Sequence, residues 1–388
     1  MRFHSLSLAG LAAAVSAVNL YATSYSGNVT SLSLTKGDDG SYSLEVTSTN
    51  QGCGVDPSWN TLDAETGIVY CSNEANNNRR STITSYSTSE SGALTPIDTV
   101  GTLYNPVSSI VYANGTALAL AHYSGSSVTS FDIQEGQLQS INNFTFTQNG
   151  RGPVPSRQDA PHPHQVILDP TESFIVVPDL GSDLLRIFAI NRDPTLTALT
   201  PYRVTAGSGP RHGAFLDTGN ATWFFLISEL ANTVTSYQVS RANGSLTFTE
   251  VFSAGTYGNI TTPAGVGGAE LLISPDQKTL HTSSRFDQLF RIANVDPNNS
   301  TRIPSDTLAS WSIDAATGSL SFLGLTAAGG REPRQFSLNP EGTLAAVALQ
   351  TDGTVAIIER NIESGVLGGI VATVDLGAVG TNSVIWDE

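Results

Sequence analysis

The chain has 388 residues, and its 34 acidic side chains against 18 Lys and Arg set a net charge of −16. Such a chain repels a phosphate backbone, and no Lys/Arg cluster offsets the repulsion, so nucleic-acid binding is excluded. Charged residues are only 13%, about half the usual share of about 25%, while 4 Trp, 11 Tyr and 15 Phe supply a core and exclude global disorder. Low Lys, Glu and Met with abundant Ser, Thr and Gly argue against a helical protein.

Read from the N-terminus, Met1-Arg2 precedes an apolar stretch from Leu6 to Val18 that is broken only by Ser and Gly. With small residues at Val15-Ser16-Ala17, this predicts a secretory leader over 1–17; a buried N-terminal strand is the alternative reading. The stretch is too short to span a bilayer, which takes about 20 apolar residues, and no later segment could cross one. Asn-x-Ser/Thr sequons follow at Asn28, Asn114, Asn143, Asn220, Asn243, Asn259, Asn298 and Asn299. Together with the leader they predict a secreted, extracellular glycoprotein. Cys53 and Cys71, 18 positions apart across a turn, are expected to pair as one local disulfide in an oxidising compartment.

One short motif recurs along residues 18–388: a turn followed two places on by an apolar residue. It appears at Asp39-Gly40-Ser41-Tyr42, Ser91-Gly92-Ala93-Leu94, Glu135-Gly136-Gln137-Leu138, Asn243-Gly244-Ser245-Leu246, Thr317-Gly318-Ser319-Leu320 and Ser364-Gly365-Val366-Leu367, with a degenerate copy at Pro194–Leu199. Each predicts a hairpin between two short alternating strands. Between these turns lies a Pro, an apolar strand, a polar turn and a second apolar strand. The clearest copy starts at Pro163 and continues through Phe174–Asp179; the copy from Pro333 through Leu344–Gln350 matches it position for position. Looser copies start at Pro57, Pro106, Pro210 and Gly268, and a seventh begins near Thr381, where the chain ends.

The N-terminal region supplies Val29–Leu34 and its hairpin without a first inner strand, and the strand at Val384-Ile385-Trp386 can complete it. Four short strands per repeat, closing on themselves, define an all-β fold: a β-propeller in one domain whose ring is closed by pairing of N- and C-terminal strands. Seven blades fit best; the weak copies around Leu196 and Gly268 leave six or eight open.

In such a ring, equivalent positions of the inner strands converge on the axis. The residue after each repeat's first Pro or Gly is Ser58, Val107, His164, Arg211, Ala269 and Arg334. The loop after each second strand contributes Glu74, Tyr123, Asp179, Glu229, Arg285 and Gln350. These positions gather one His, three Arg and three acids in a chain poor in charge. They either form a site or pair across the channel as buried ion pairs without chemistry.

The two-residue spacing of His162 and His164 could place both on one strand face, but a metal needs a third ligand, which His122 or His212 could supply although nothing in the spacing demands it. No metal and no cofactor are expected, and His164 reads best as a proton-transfer group. There is no Gly-x-Ser-x-Gly elbow, and Gly265-Val266-Gly267-Gly268 has no strand–helix context, so neither a serine-hydrolase triad nor a nucleotide loop is indicated.

Ala160–Val166 with Val177–Leu184, Gly209-Pro210-Arg211-His212 and Glu332–Phe336 resemble segments of the seven-bladed lactonase family, which includes 6-phosphogluconolactonase and the fungal carboxy-cis,cis-muconate cyclase. The resemblance covers nearly the whole chain after the leader. It implies His164, Arg211, Glu229 and Arg285 as catalytic positions; Glu74, Asp179, Arg334, Gln350 and His212 are expected beside them to bind a small lactone or carboxylate. A lactonase would set an arginine at the developing oxyanion and use His164 or Glu229 as general base. A cyclase would clamp the carboxylates of a muconate with the same arginines. The secreted location favours an extracellular lactonase acting on a sugar aldonolactone without metal. A muconate cycloisomerase and a non-catalytic secreted propeller are the alternatives. No membrane or nucleic-acid partner is expected.

Overall fold

A computed structural model describes residues 17–77, 80–296, 298–377 and 379–388. Every regular element among them is a β-strand. The expected leader falls outside the described residues except for Ala17, which opens β1 (Ala17–Ser24) opposite Thr35. β2 (Asn28–Lys36) and β3 (Tyr42–Asn50) follow it in the last-closed blade, blade 7.

Blade 1 is β4 (Pro57–Asp63), β5 (Ile68–Asn73), β6 (Thr82–Thr88) and β7 (Leu94–Gly101). Blade 2 is β8 (Pro106–Tyr112), β9 (Ala117–His122), β10 (Ser127–Gln134) and β11 (Gln137–Thr145). In blade 3, β12 (Ile167–Leu168), β13 (Phe174–Asp179) and β14 (Leu184–Ile190) meet an outer strand split into β15 (Leu196–Ala198) and β16 (Tyr202–Arg203). Pro201 lies in that gap, and proline cannot donate to a ladder, which accounts for the degenerate repeat there.

Blade 4 is β17 (Pro210–Asp217), β18 (Thr222–Ser228), β19 (Thr233–Ala242) and β20 (Ser245–Gly255). Blade 5 is β21 (Gly267–Ile273), β22 (Thr279–Arg285), β25 (Thr307–Ile313) and β26 (Leu320–Ala327), with a ribbon of β23 (Phe290–Ile292) and β24 (Ile303–Ser305) inserted. Blade 6 is β27 (Pro333–Leu338), β28 (Leu344–Leu349), β29 (Thr354–Arg360) and β30 (Leu367–Asp375), and β31 (Thr381–Trp386) closes blade 7 from inside. The count is seven. All seven recurrent turns join the third and fourth strands of a blade, and Gly40, Gly92, Gly136, Gly244, Gly318 and Gly365 take φ between +71° and +83°, the left-handed region that favours glycine.

Ring closure differs from expectation in one respect. The partner of β31 is β1, with Leu20 opposite Trp386 and Ala22 opposite Val384, so Val29–Leu34 lies one strand further out. Ala17–Ser24 follows directly on the apolar run from Leu6 to Val18, and hydropathy alone does not mark where such a run passes into a strand.

The second strands Ile68–Asn73, Ala117–His122, Phe174–Asp179 and Leu344–Leu349 are buried at every position, because each is sandwiched between neighbouring blades. They therefore read as continuous apolar runs, whereas outer strands such as Leu94–Gly101 carry exposed Thr95 and Thr99. The core is correspondingly divided into seven clusters, one per blade interface; that between blades 4 and 5 packs Trp223, Phe225, Leu280 and Trp311.

Cys53, just before β4, is bonded to Cys71 of β5, and both are fully buried. Closing an 18-residue separation removes about 3 kcal/mol of unfolded-state freedom. Reduction under mild denaturation is expected to lower the Tm by roughly 4 °C, read by scanning calorimetry with and without reductant.

Candidate active site

The inner strands deliver the site through a repeated irregularity. Four of the seven open on a Pro, which cannot donate to the ladder and so sits at the strand's first position. Register then slips between Pro57 and Trp59, Pro106 and Ser108, Pro210 and His212, and Pro333 and Gln335. The bulged residues are Ser58, Val107, Arg211 and Arg334, four of the positions singled out by the repeat register. A bulge re-aims the side chain it contains; Val107, Arg211 and Arg334 line the cavity at the channel mouth, whereas Ser58 donates its hydroxyl to Pro106 O. In blade 3 a lone bridge between Pro163 and Asp179 and the bond from His164 N–H to Pro178 O set His164 in the equivalent place.

A cavity of about 260 Å3 results, lined by Glu74, Val107, Tyr123, Arg157, His164, Arg211, Glu229, Arg285 and Arg334, with Asn76, Asn105 and Ser124 at its side. Four guanidiniums face two carboxylates, leaving a local positive surplus in a chain of net charge −16.

Glu229 is the hub of that charge. Its Oε1 lies 2.7 Å from Arg157 Nη2 and 3.0 Å from Arg285 Nη2. Its Oε2 lies 3.0 Å from Arg211 Nε, although that N–H is not directed at the oxygen and makes no hydrogen bond. Burial works against its charge, but the Arg285, Arg211 and Arg157 guanidiniums outweigh burial and hold the carboxyl down to about 2. Both of its oxygens are thus turned to guanidiniums, a geometry that suits an anchor for the arginines better than a general base facing water. Burial, then the neighbouring Arg285, moves Arg211 down to about 9, which still leaves it a cation at neutral pH; its Nη1 donates to Ala269 O at 2.6 Å. Across the cavity, Arg334 Nη2 meets Glu74 Oε1 at 3.1 Å, and Glu74 also accepts from Tyr25 Oη at 2.7 Å and Asn105 Nδ2 at 3.2 Å.

His164 sits at the head of a buried chain. Its Nδ1 is 3.0 Å from His212 Nε2, and His212 Nδ1 is 2.7 Å from Glu270 Oε1. A carboxylate only accepts, so His212 donates through Nδ1 and accepts at Nε2 from His164 Nδ1–H. The lone pair of His164 is then on Nε2, which bonds to no described residue. Burial first, and then Arg211, His212 and Arg334, hold the His164 imidazole well below its ordinary range, so it is neutral at physiological pH. Tyr123 packs edge-on against His164 at 5.5 Å and stacks on His162 at 4.2 Å.

Some expected site residues lie elsewhere. Asp179 is fully buried and engaged by protein on both oxygens: Oδ1 accepts from His162 N–H at 2.7 Å, and Oδ2 pairs with Arg186 at 2.7 Å. It shapes the segment that carries His164 and does not reach the cavity. Gln350 meets Arg334 Nη1 at 3.4 Å and faces a neighbouring cavity beside Tyr25 and Glu332. His212 stands behind His164, bonded on both nitrogens, and is not placed to bind substrate. His162 faces acceptors on both nitrogens, Tyr123 O at 3.0 Å and Asp159 Oδ1 at 3.1 Å. Among the described residues, no group of three or more His, Cys, Asp or Glu is placed to hold a metal ion. Chelator treatment is expected to leave turnover unchanged, measured before and after dialysis against EDTA.

Two charged members of the site escaped the repeat register. Arg157 comes from the connection between β11 and β12, the longest between neighbouring blades, and occupies no repeat position. Glu270 follows the register position Ala269 directly, and its signal was a lone acid heading the apolar run Leu271-Leu272-Ile273.

A seven-bladed ring that gathers arginines beside a neutral imidazole at its mouth can stabilise a developing oxyanion and accept a proton. Residues 19–384 match the family described as Lactonase, 7-bladed beta-propeller, and the chain belongs to that family, a family of lactone hydrolases. An Arthroderma benhamiae protein named "Probable 6-phosphogluconolactonase" is 30% identical over 342 residues, covering 87% of this chain and 82% of that one. The 6-phosphogluconolactonase of Formosa agariphila is 30% identical over 268 residues, 68% of this chain and 69% of its own. The solved structure of a Bacteroides fragilis protein assigned to the 6-phosphogluconolactonases superposes with a TM-score of 0.79 at 25% identity, covering 96% of this chain and 98% of that one.

Proposed function

We propose that the protein is an extracellular lactonase that hydrolyses a sugar aldonolactone, with His164 as general base. The observation that carries this is the neutral His164, with its Nε2 lone pair free, in a cavity walled by Arg211, Arg285 and Arg334. His164 Nε2 takes a proton from water as the resulting hydroxide attacks the ring carbonyl. Arg211 and Arg285, held by Glu229, stabilise the oxyanion. Collapse of the tetrahedral intermediate breaks the ring C–O bond, and His164 returns its proton to the leaving alkoxide. The product carboxylic acid then releases one proton to solvent.

Location argues for an unphosphorylated substrate. The leader-like N-terminus supports a place outside the cell, where phosphorylated sugars are scarce. Seven of the eight sequon asparagines are exposed, consistent with glycosylation; Asn28 is half-buried, and its Oδ1 accepts from Gln51. The cationic surplus also suits a dicarboxylate, which keeps muconate cyclisation as a second reading.

The test is a substrate panel of glucono-lactone, cellobiono-lactone, 6-phosphogluconolactone and carboxymuconate. Highest kcat/KM on an unphosphorylated lactone supports the proposal. Preference for the phosphorylated lactone overturns the substrate, turnover of carboxymuconate alone overturns hydrolysis, and inertness to all four leaves a non-catalytic propeller.

A further inference from the structure

The mouth cavity is not the only one that meets the histidine chain. A second cavity, of about 300 Å3, is lined by Trp59, Gln165, Glu270 and Gln335 near the starts of the inner strands, then by Ile273 and Leu338 at their far ends. It therefore occupies the channel on the opposite side of the chain from His164. Glu270 is 4% exposed, and its Oε2 makes no hydrogen bond. Its Oε1 accepts twice, from His212 Nδ1 at 2.7 Å and from Leu271 N–H at 2.9 Å. Hydrogen bonds thus run without a break from Glu270 Oε1 through His212 to His164 Nδ1, and of the three residues only His164 lines the mouth cavity.

We propose that Glu270 and His212 are positioning residues of the hydrolysis, holding His164 in the tautomer with its lone pair on Nε2 and stabilising the imidazolium that forms when it takes the proton from water. The inference rests on the reading of His164 as the base. The reason is electrostatic. His164 already faces the guanidiniums of Arg211, Arg334 and Arg285, with His212 and Tyr123 beside it. His212 faces Trp59 edge-on at 5.7 Å, the Arg211 and Arg334 cations, and the Glu270 carboxylate. A proton added to His164 therefore enters a cluster of positive charge, and within this chain of hydrogen bonds Glu270 is the compensating charge. A neutral amide at the same place keeps the hydrogen bond and loses the compensation. In triads where a carboxylate orients a catalytic histidine, the carboxylate-to-amide change costs up to about 10⁴ in kcat.

The experiment compares Glu270→Gln, Glu270→Asp and His164→Ala with the wild type across pH 4–9 on the best lactone. Glu270→Gln is expected to lower kcat by about 10²-fold or more with KM within about threefold, the split that marks an interaction made only in the transition state. The acid limb of kcat/KM, which belongs to the two histidines jointly, is expected to move to lower pH, since the pair binds a proton less readily without the carboxylate. Glu270→Asp, which restores the charge, is expected to recover part of kcat. A purely structural Glu270 would lower the folded fraction and leave the limb in place.

Wild-type kcat and an unshifted limb in Glu270→Gln, with His164→Ala inactive, overturn this proposal alone. Full activity in His164→Ala overturns the base assignment beneath it.

Discussion

Replacing His164 with alanine is expected to reduce kcat on a lactone by 10²- to 10⁴-fold, the range that a positioned general base supplies. The fold should be little affected, since His164 belongs to the channel rather than to any of the seven interblade clusters. The residual rate should come from the arginines, which remain fixed by Glu229 and continue to polarise the carbonyl. Initial rates on purified variant and wild type, with circular dichroism to confirm folding, decide the matter. A loss of less than tenfold would remove His164 from the chemistry.

Replacing Glu229 with glutamine is expected to act first on stability. Arg211 and Arg285, 1% and 9% exposed at their side chains, would be left facing each other without the anion between them. Removing one partner of a buried pair costs about 3–5 kcal/mol. Arg157, 41% exposed, can turn to solvent and relieve part of this, so the lower end is expected. The pH dependence has a definite sign. The folded-state value of about 2 lies below the ordinary 4.5, so the carboxylate contributes its stability above about pH 4.5 and loses it as pH falls toward 2. That contribution is on the order of 3 kcal/mol. Denaturant unfolding should show wild type and Glu229→Gln far apart at pH 7 and converging between pH 4.5 and 2. Equal stability at pH 7 would contradict the anchoring role.

The ring and the cavity are legible in the chain to different depths. Turn glycines such as Gly40 and Gly318 repeat because the hairpins require positive φ, so the blades can be counted along the sequence. The opening prolines repeat because a strand's first position tolerates a missing donor, and this puts Arg211 and Arg334 on the axis. Partner choice is not legible. Asp179 shares its register with Glu229 and Glu74, yet Arg186 from β14 reaches it first and turns it into a brace. Glu229 is chemically an ordinary glutamate in sequence, and only the arrival of Arg157, Arg211 and Arg285 from three different segments removes its basicity. His212 reads as a second site histidine by its neighbour Arg211, but alternation along β17 turns it to the rear of the cavity, against Glu270. Pairing across blades depends on side-chain reach and on insertions, neither of which the repeat period encodes. A site and a set of internal ion pairs, alternatives by register alone, prove compatible: Glu229 and Glu74 are paired with arginines that nonetheless line an open cavity.

The central claim is tested most directly by following acid release in a pH-stat as the protein acts on glucono-lactone at neutral pH, against the spontaneous rate and against His164→Ala. The expected result is one proton released per lactone opened, at a rate well above spontaneous opening for the wild type and close to it for the variant. Acid release by wild type and variant at the same rate would contradict the assignment of His164 as the base of a lactonase.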